Sequence, residues 1–157
     1  AASDVYKRQL LLAYVKNLIK SRKDAKAILN DTDPAPDDGA KLEGRLFIEK
    51  IYALMDSHIA DSGFKVEAFG QSIGLSRVQL YRRIKEQTGY SPNELLRVYR
   101  LQKAKKLLST TDLAVAEVAY RVGFSSPAYF TKCYREFYKE LPTAFLKRMA
   151  LKNEDSL

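Results

Sequence analysis

The chain has 157 residues, of which 46% are hydrophobic and 29% are charged. This length suits one domain, or one domain with an appendage, and the composition excludes a collagen, a mucin or a wholly disordered chain. Lysine and arginine outnumber aspartate and glutamate by 27 to 19, which gives a formal net charge of +8. A basic balance of this size indicates a polyanionic partner without identifying it.

Cysteine and histidine are too few for most site chemistry. Cys133 and His58 each occur alone, so we expect no disulfide, no metal site and no Ser-His-Asp constellation. No phosphate-binding loop or metalloprotease or hydrolase motif occurs, which predicts a protein without cofactor or enzymatic activity. The densest apolar run, Leu10–Val15, is too short to span a membrane, and no secretory leader is visible. These features together predict a cytoplasmic protein.

The first 41 residues divide into two segments. Leu11, Val15 and Leu18 recur at helical spacing, which predicts an amphipathic helix over about 10–29. Residues 30–41 have no apolar periodicity and hold several aspartates and two prolines, as linkers do. We therefore predict an N-terminal segment, a linker, a main domain and a tail, at residues 1–29, 30–41, 42–150 and 151–157.

After the linker, apolar residues recur at helical spacing and no strand alternation of useful length appears. An apolar stripe that includes Phe47 and Ile51 runs to the break at 61–63. Further helices are predicted at about 66–72, 77–87, 92–108, 115–121, 127–137 and 142–150. The predicted fold class is all-α, with two helix-turn-helix subdomains joined by a linker helix.

The duplication is visible in the sequence itself. Residues 66–76 match residues 115–125 at an offset of 49, and beyond the turn the offset becomes 50, so that Pro92 matches Pro142. Each copy consists of a short helix, a turn that contains a glycine and a longer helix. This is the layout of a helix-turn-helix.

The second helix of each copy has a core side and an outward side at 100° per residue. In the first copy Leu80 and Ile84 define the core side, and in the second copy Phe130, Cys133, Tyr134 and Phe137 do. The outward positions correspond at the offset of 50, as the pairs Val78/Ala128, Tyr81/Thr131, Arg82/Lys132 and Lys85/Arg135. Short side chains beside arginine or lysine are what a helix needs to approach base edges in the major groove of double-stranded DNA. A solvated helix face is the alternative, which the repetition of the pattern disfavours.

Residues 92–108 are predicted to form one helix without an internal proline or glycine. Such a helix is about 25 Å long at 1.5 Å per residue. A rigid connection of this length is compatible with two major-groove contacts about one duplex turn, about 34 Å, apart. The charge is concentrated here, because residues 76–106 hold nine basic and two acidic side chains.

Residues 64–145 resemble the DNA-binding domain of the AraC/XylS family of bacterial transcription regulators. The likeness is carried by the break GYSP and the connecting helix RLQKAKKLL after the first copy, and by EVAYRVGFSSPAYFTKCYREF in the second. The resemblance implies base contacts by Val78, Tyr81 and Arg82, and by Ala128, Thr131 and Lys132. The full predicted DNA-binding set adds the neighbouring residues Arg77, Lys85, Ser126 and Arg135.

The N-terminal segment is similar to the closing helix of a receiver domain, which implies the output end of a response regulator or hybrid two-component protein. The alternative is a plain docking or dimerisation helix, through which the chain would form a homodimer. The predicted function is thus a sequence-specific DNA-binding transcription regulator in a two-component system, with no membrane contact. The alternatives are a helical protein-interaction module and a non-specific architectural DNA binder.

Three positions depart from the family pattern. Lys139 stands where a glycine equivalent to Gly89 is expected, and Ala114 and Lys65 stand where the first helix of each copy would begin with a capping side chain. A left-handed residue with a Cβ costs on the order of 1 kcal/mol, as does the loss of a cap. These positions predict a somewhat weakened second copy.

The tyrosines add one further prediction. Tyr120, Tyr129, Tyr134 and Tyr138 fall within predicted helices, where packing is the usual role, and only Tyr81 is expected to reach nucleic acid. Lys105 and Lys106 are candidates for contacts with the phosphate backbone.

Overall fold

A computed structural model describes the backbone of residues 36–156 and the side chains of residues 39–156. This part of the chain consists of α-helices, one 3₁₀ helix and turns, without a strand. The all-α class is therefore confirmed. The predicted N-terminal helix over 10–29 lies outside the described residues and stays a prediction.

The α-helices, in chain order, are α1 (Pro36–Ser57), α2 (Arg77–Thr88), α3 (Pro92–Thr110), α4 (Val115–Arg121), α5 (Pro127–Tyr138) and α6 (Pro142–Asp155). A 3₁₀ helix at Val66–Phe69 precedes α2. Helices α2 to α5 match the predicted ranges to within two residues at each end. The two helix-turn-helix copies therefore span the 3₁₀ helix and α2, and α4 and α5.

The helical region is longer at both ends than the sequence predicts. Residues 36–41, predicted as the end of the linker, belong to α1, because a proline is favoured in the first turn of a helix and Pro36 therefore starts one. Residues 151–155, predicted as tail, extend α6. The hydroxyl of Ser156 donates a 2.9 Å hydrogen bond to the carbonyl oxygen of Lys152 and so satisfies one group of the last turn.

The first helix of the first copy is also shorter than predicted. Instead of an α-helix over 66–72, the chain forms the single 3₁₀ turn Val66–Phe69 and continues in hydrogen-bonded turns, with the amide of Leu75 donating to the carbonyl of Gly70 at 2.7 Å. Gly70 and Gly74 lie in this stretch, and glycine disfavours a helix by about 1 kcal/mol relative to alanine. Gly74 adopts a left-handed φ of 73°, which ends any helical continuation before α2.

The described chain forms two compact units. The first comprises residues 36–54 and 69–92, and the second comprises residues 55–68 and 93–156. In the first unit, Ile48 and Ile51 of α1 and Leu80 and Ile84 of α2 are fully buried. Helix α1 carries the small residue Gly44 where a Cβ would lie 2.7 Å from Oε1 of Gln87.

The core of the second unit combines aliphatic and aromatic side chains. Phe124, Phe130 and Tyr134 are buried, and the rings of Phe124 and Phe130 meet edge to face at a centroid distance of 5.2 Å. Cys133 is 5% exposed with a free thiol, which confirms its predicted role as a small buried side chain. This core anchors one side of α5 and leaves the other side outward.

Candidate nucleic-acid interface

Helix α2 is delimited by local signals at both ends. The Ser76 hydroxyl accepts the backbone N–H of Gln79 at 3.2 Å, and the Gln79 side chain accepts the backbone N–H of Ser76 at 2.9 Å, a reciprocal capping box. At the other end Gly89 is left-handed, with φ 76°, and its N–H donates to the carbonyl of Lys85. These caps define the helix that carries the first predicted DNA-contacting face.

The structure exposes the predicted face of α2. Val78 is 75% exposed and Tyr81 is 47% exposed, and Arg77, Arg82 and Lys85 are exposed as well. Val78 thus places a short apolar side chain at the surface of α2. Val78, Arg82 and Lys85 lie on the side of α2 away from the buried Leu80 and Ile84, and Arg77 and Tyr81 lie at its edge.

The neighbouring Arg83 has a different role. Its guanidinium lies 4.3 Å from the centroid of the Phe47 ring and 3.6 Å from the Glu43 carboxylate, both on α1. Arg82, by contrast, forms no ion pair with any of the side chains described at 39–156. Of these adjacent arginines, Arg82 therefore presents its charge outward, while Arg83 packs within the first unit.

Helix α5 presents the corresponding face in the second unit. Ala128, Lys132 and Arg135 are exposed and Thr131 is half-buried, while Phe130, Cys133 and Tyr134 are buried. Phe137, which the helical spacing places on the core side, is only partly buried. The outward residues of α2 and of α5 occupy equivalent helix positions, as the offset of 50 predicts.

Ser126 serves as the N-cap of α5. Its hydroxyl oxygen accepts the backbone N–H of Tyr129 at 3.2 Å, so that only its O–H remains to donate outward. The helix ends at Lys139, which is left-handed with φ 60° and donates its N–H to the carbonyl of Arg135. The left-handed conformation inferred at Lys139 is thus present, and Ala114 indeed gives α4 no side-chain cap.

The tyrosine prediction holds for only part of its set. Tyr134 is fully buried and Tyr138 is partly buried, but Tyr129 is 47% exposed and Tyr120 is 54% exposed. Tyr129 lies beside Ala128 on α5, with its ring tilted against Phe124 at a centroid distance of 5.8 Å. The expected packing role is therefore wrong for Tyr120 and Tyr129, because helical spacing alone does not show which aromatic residues find a core to pack in. The expectation that only Tyr81 reaches nucleic acid stays a prediction.

Lys105 and Lys106, the candidates for phosphate contacts, have different surroundings. The ammonium of Lys105 lies 4.4 Å from the centroid of the Tyr138 ring and 5.2 Å from that of Phe145, so its charge is held against aromatic faces of the second unit. Lys106 is exposed. Of the two lysines, Lys106 is the more exposed and therefore the better candidate for a phosphate contact.

Arg100 holds the turn that precedes α5. Its guanidinium donates to the carbonyl of Gly123 at 3.1 Å and to the carbonyl of Asp61 at 2.7 Å, and the residue is only 9% exposed. Burial lowers the pKa of Arg100, and the nearby carboxylate of Asp61 acts in the opposite direction. Gly123 has a φ of 90°, and a Cβ there would collide with the carbonyl oxygen of Ile59. The turn is therefore positioned by tertiary contacts.

Asp56 and Tyr99 add a polar cluster to the second unit. The Asp56 carboxylate accepts a hydrogen bond from the Tyr99 hydroxyl at 2.9 Å and pairs with the Lys103 ammonium at 3.0 Å. The hydrogen bond from Lys103 is the main cause that lowers the pKa of Asp56, with burial acting against it. Burial is the main cause that raises the pKa of Tyr99. The cluster ties α3 to the end of α1.

Other kinds of site find no support over the described range. Between residues 36 and 156, no group of three acidic, histidine or cysteine side chains is arranged to hold a metal ion. No helix in that range combines the length and the apolar character that crossing a membrane requires.

The geometry defines a protein with two helix-turn-helix motifs. Residues 70–148 match the model of a family described as a helix-turn-helix domain, and solved structures of AraC-type DNA-binding domains share the fold. The chain belongs to the AraC-type helix-turn-helix family of DNA-binding transcription regulators.

Three similar proteins show the range of the family. The DNA-binding domain of AdpA, a global transcriptional factor, solved in complex with a target DNA, superposes with a TM-score of 0.61 at 30% identity, over 66% of this chain and 93% of that one. The C-terminal domain of the two-component response regulator yesN from Fusobacterium nucleatum superposes with a TM-score of 0.57 at 30% sequence identity. The match covers 62% of this chain and 95% of that domain. Histidine kinase P4 from Formosa agariphila is 31% identical over 137 residues, or 85% of this chain.

The chain spans about a tenth to a third of the length of the curated relatives it matches, at 10% and 33%. The match with histidine kinase P4 covers 85% of this chain and therefore extends to the N-terminal side of the helix-turn-helix domain.

Proposed function

We propose that this chain is the output domain of a two-component-type signalling protein and that it binds double-stranded DNA in a sequence-specific manner. The observation that carries the proposal is that α2 and α5 expose the same small-plus-basic face at equivalent positions. Val78 and Ala128 permit close approach of the helix, and Arg82 and Lys132 reach beyond them. Arginine and lysine in such positions donate to guanine edges or to phosphates.

The two-component context is supported by relatives. The solved domain from Fusobacterium nucleatum is the C-terminal domain of a two-component response regulator. The likeness to histidine kinase P4 includes residues before the helix-turn-helix domain. In this proposal residues 10–29 connect the domain to the signalling part of a longer protein, or bring two chains together as a dimer.

Affinity and selectivity are assigned to different residues. Exposed basic side chains such as Lys106 supply sequence-independent affinity through phosphate contacts, which makes binding strongly dependent on salt. The outward residues of α2 and α5 supply selectivity through base contacts: Arg77, Val78, Tyr81, Arg82, Lys85, Ser126, Ala128, Thr131, Lys132 and Arg135. Base-contacting and phosphate-contacting residues should then respond differently to a change of duplex sequence.

The test begins with in vitro selection of duplexes by the full chain, followed by mobility-shift titration of the selected and a random duplex at two salt concentrations. We expect Arg82→Ala and Lys132→Ala to lose about tenfold or more on the selected duplex and much less on the random one. Lys106→Ala should weaken both equally. Lys105→Ala serves as the comparison, because its ammonium already lies over two rings.

Two results would contradict the proposal. Equal losses on selected and random duplexes for Arg82→Ala and Lys132→Ala would indicate a non-specific architectural binder. Absence of binding to any duplex at low salt would favour a protein-interaction module with a basic face. The spacing of the conserved blocks within the selected sites measures the separation of the two contacts, which the length of the connecting helix predicts to be about one duplex turn, about 34 Å.

A further inference from the structure

A pocket of about 230 Å³ opens in the second unit beside the N-terminus of α5. Aromatic and apolar side chains form part of its wall. The polar groups come from α3, from the start of α5 and from the segment before the 3₁₀ helix, and they are Asn93, Arg97, Arg100, Ser125, Tyr129 and Ser62. None of the pocket's α3 residues belongs to the set that the sequence predicts to contact DNA.

The inner side of the pocket contains a buried positive charge. Arg100 is 9% exposed, its two terminal nitrogens donate to the carbonyls of Asp61 and Gly123, and its Nε has no hydrogen-bond partner. Both partners are neutral carbonyls. The Asp61 carboxylate is used locally, where it accepts the backbone N–H of Gly63 at 2.9 Å. The guanidinium charge is thus compensated through space and not by a direct ion pair.

Arg97, an exposed residue that lines the pocket, adds a second positive charge. Asn93, Arg97 and Arg100 are spaced at four and three residues along α3 and therefore lie on one helix face. Arg97 is exposed, and no carboxylate among the side chains described lies within 4 Å of its guanidinium. Its fork of N–H donors is consequently available to an anion.

The donors that face the pocket suit a tetrahedral oxyanion. A guanidinium binds phosphate through two parallel hydrogen bonds, and Asn93 and Ser125, which also line the pocket, carry an amide and a hydroxyl that can donate further hydrogen bonds. The helix terminus itself contributes little, because Pro127 lacks an N–H and the N–H of Tyr129 is used by Ser126. The attraction therefore comes from side chains.

The pocket also lies beside the start of α5, the helix that the proposed function places in the major groove. Ser125 directly precedes the N-cap of α5, and Tyr129 follows Ala128, which is one of the proposed base-contacting residues. A helix that enters the major groove is flanked by backbone phosphates, which position it without reading sequence. A phosphate bound at Arg97 would hold the start of α5 at the groove edge.

We propose that this pocket binds one phosphate group of the duplex backbone, with Arg97 as the charged contact and Asn93 and Ser125 as hydrogen-bonding contacts. The proposal rests on the proposed DNA-binding function and adds α3 residues that the helix-turn-helix pattern does not indicate. Arg100 acts as a positioning residue, because its guanidinium donates to the carbonyl of Gly123 and so fixes the turn that leads to Ser125.

The test uses the full chain and its selected duplex, in which single phosphates are replaced one at a time by neutral methylphosphonates. For the unmodified chain, one replacement next to the α5 contact should weaken binding about tenfold. Arg97→Gln should bind the unsubstituted duplex about tenfold more weakly and lose nothing further when that phosphate is neutralised. The slope of log K against log salt should fall in magnitude by about 0.9.

Lys152→Gln is the matched control, since it removes one positive charge from an exposed position in the last turn of α6. It should retain the phosphate profile and the salt slope of the unmodified chain. An Arg97→Gln chain that behaves like this control overturns the proposal while leaving the proposed function intact. Failure of the unmodified chain to bind any duplex overturns both.

A free phosphate is the other source of the same chemistry. Titration with inorganic phosphate, followed through the amide resonances of Ser125 and Tyr129, distinguishes it. Saturation that depends on Arg97, together with unchanged duplex binding by Arg97→Gln, would show a site for free phosphate and overturn the assignment to the DNA backbone. The assignment to the DNA backbone is supported if free phosphate shifts these resonances only weakly and without saturation, and if Arg97→Gln removes the effect of neutralising the one duplex phosphate.

Discussion

The two helix-turn-helix copies share one layout but are stabilised by different interactions. In the first copy, the helix before the turn is reduced to the 3₁₀ turn Val66–Phe69, and α2 relies on a capping box and a C-terminal glycine. In the second copy, α4 is a true α-helix, while α5 has a single cap bond and ends at a left-handed lysine.

The second copy offsets its weaker end signals with tertiary contacts. The aromatic side chains of Phe130 and Tyr134 are fully buried, and Arg100 bonds the turn directly through Gly123. The equivalent turn glycine of the first copy, Gly74, has open space where a Cβ would be added. Both second helices are anchored by buried side chains, and the copies differ in their end caps and in the contacts of their turn glycines.

The turn glycines should give the largest difference between the copies. Gly74→Ala introduces only left-handed strain, a loss of about 1 kcal/mol in the free energy of unfolding. Gly123→Ala adds collisions with the Ile59 carbonyl and the Arg100 guanidinium, so that we expect a loss of about 3 kcal/mol or more. Urea unfolding of the full chain measures both. Equal losses would show that the second turn is not held by tertiary contacts.

Removal of the two N-caps should change the free energy of unfolding by amounts that differ less than those for the turn glycines. Ser76→Ala removes the hydroxyl half of a reciprocal box and is expected to cost about 1.5 kcal/mol, whereas Ser126→Ala removes a single cap bond and is expected to cost about 1 kcal/mol. Thermal unfolding of the two variants compares them directly. The reverse order would mean that core packing, and not capping, defines the start of α2.

The C-caps of α2 and α5 can be tested by opposite substitutions, since one is a glycine and the other a lysine. Lys139→Gly relieves a side chain at φ 60° and should raise the free energy of unfolding by about 0.5–1 kcal/mol, while Gly89→Ala should lower it by about 1 kcal/mol. Denaturant midpoints of both variants test the pair. If Lys139→Gly brings no gain, the left-handed conformation there is not a source of strain, and the prediction of a weakened second copy fails.

The smallest change in the free energy of unfolding is expected at the ion pairs of Asp56 and Glu43. The folded-state pKa of Asp56 lies below its ordinary value of 3.8, so its contribution to stability is present above that value and is lost as pH falls through the folded pKa. Asp56→Asn should cost less than about 1 kcal/mol at pH 7, because the carboxylate is half exposed, and the difference should vanish in strong acid. Glu43→Gln, which breaks a 3.6 Å pair with Arg83 in the first unit, should change less.

Much of the architecture follows from periodicity and end signals. The bounds of α4 match the prediction, and those of α2, α3 and α5 are within two residues, because caps, prolines and glycines mark them locally. The stretch over 66–72 was predicted as an α-helix from its apolar spacing, and the structure replaces it with a 3₁₀ turn. Spacing is a weak guide over seven residues that include a glycine.

The candidate interface is predictable in part for the same reason. A helical wheel places Arg82 and Lys132 outward, and their exposure agrees with this. It does not show that Arg83 packs on Phe47, that Lys105 lies over two rings or that Tyr129 is exposed, because each of these depends on residues distant in sequence. The pocket beside α5 could not have been found from spacing, since its donors come from separate segments.

For this protein, the amino-acid order alone determined the helical class, the duplication, and the side of each second helix that carries basic residues. These properties depend on interactions within a few residues, which a linear pattern records. Only the tertiary structure decided which basic side chains face outward, how Arg100 holds the turn at Gly123 and where the pocket beside α5 forms. Those features require groups from distant segments to meet, and burial and close approach then decide the role of each side chain.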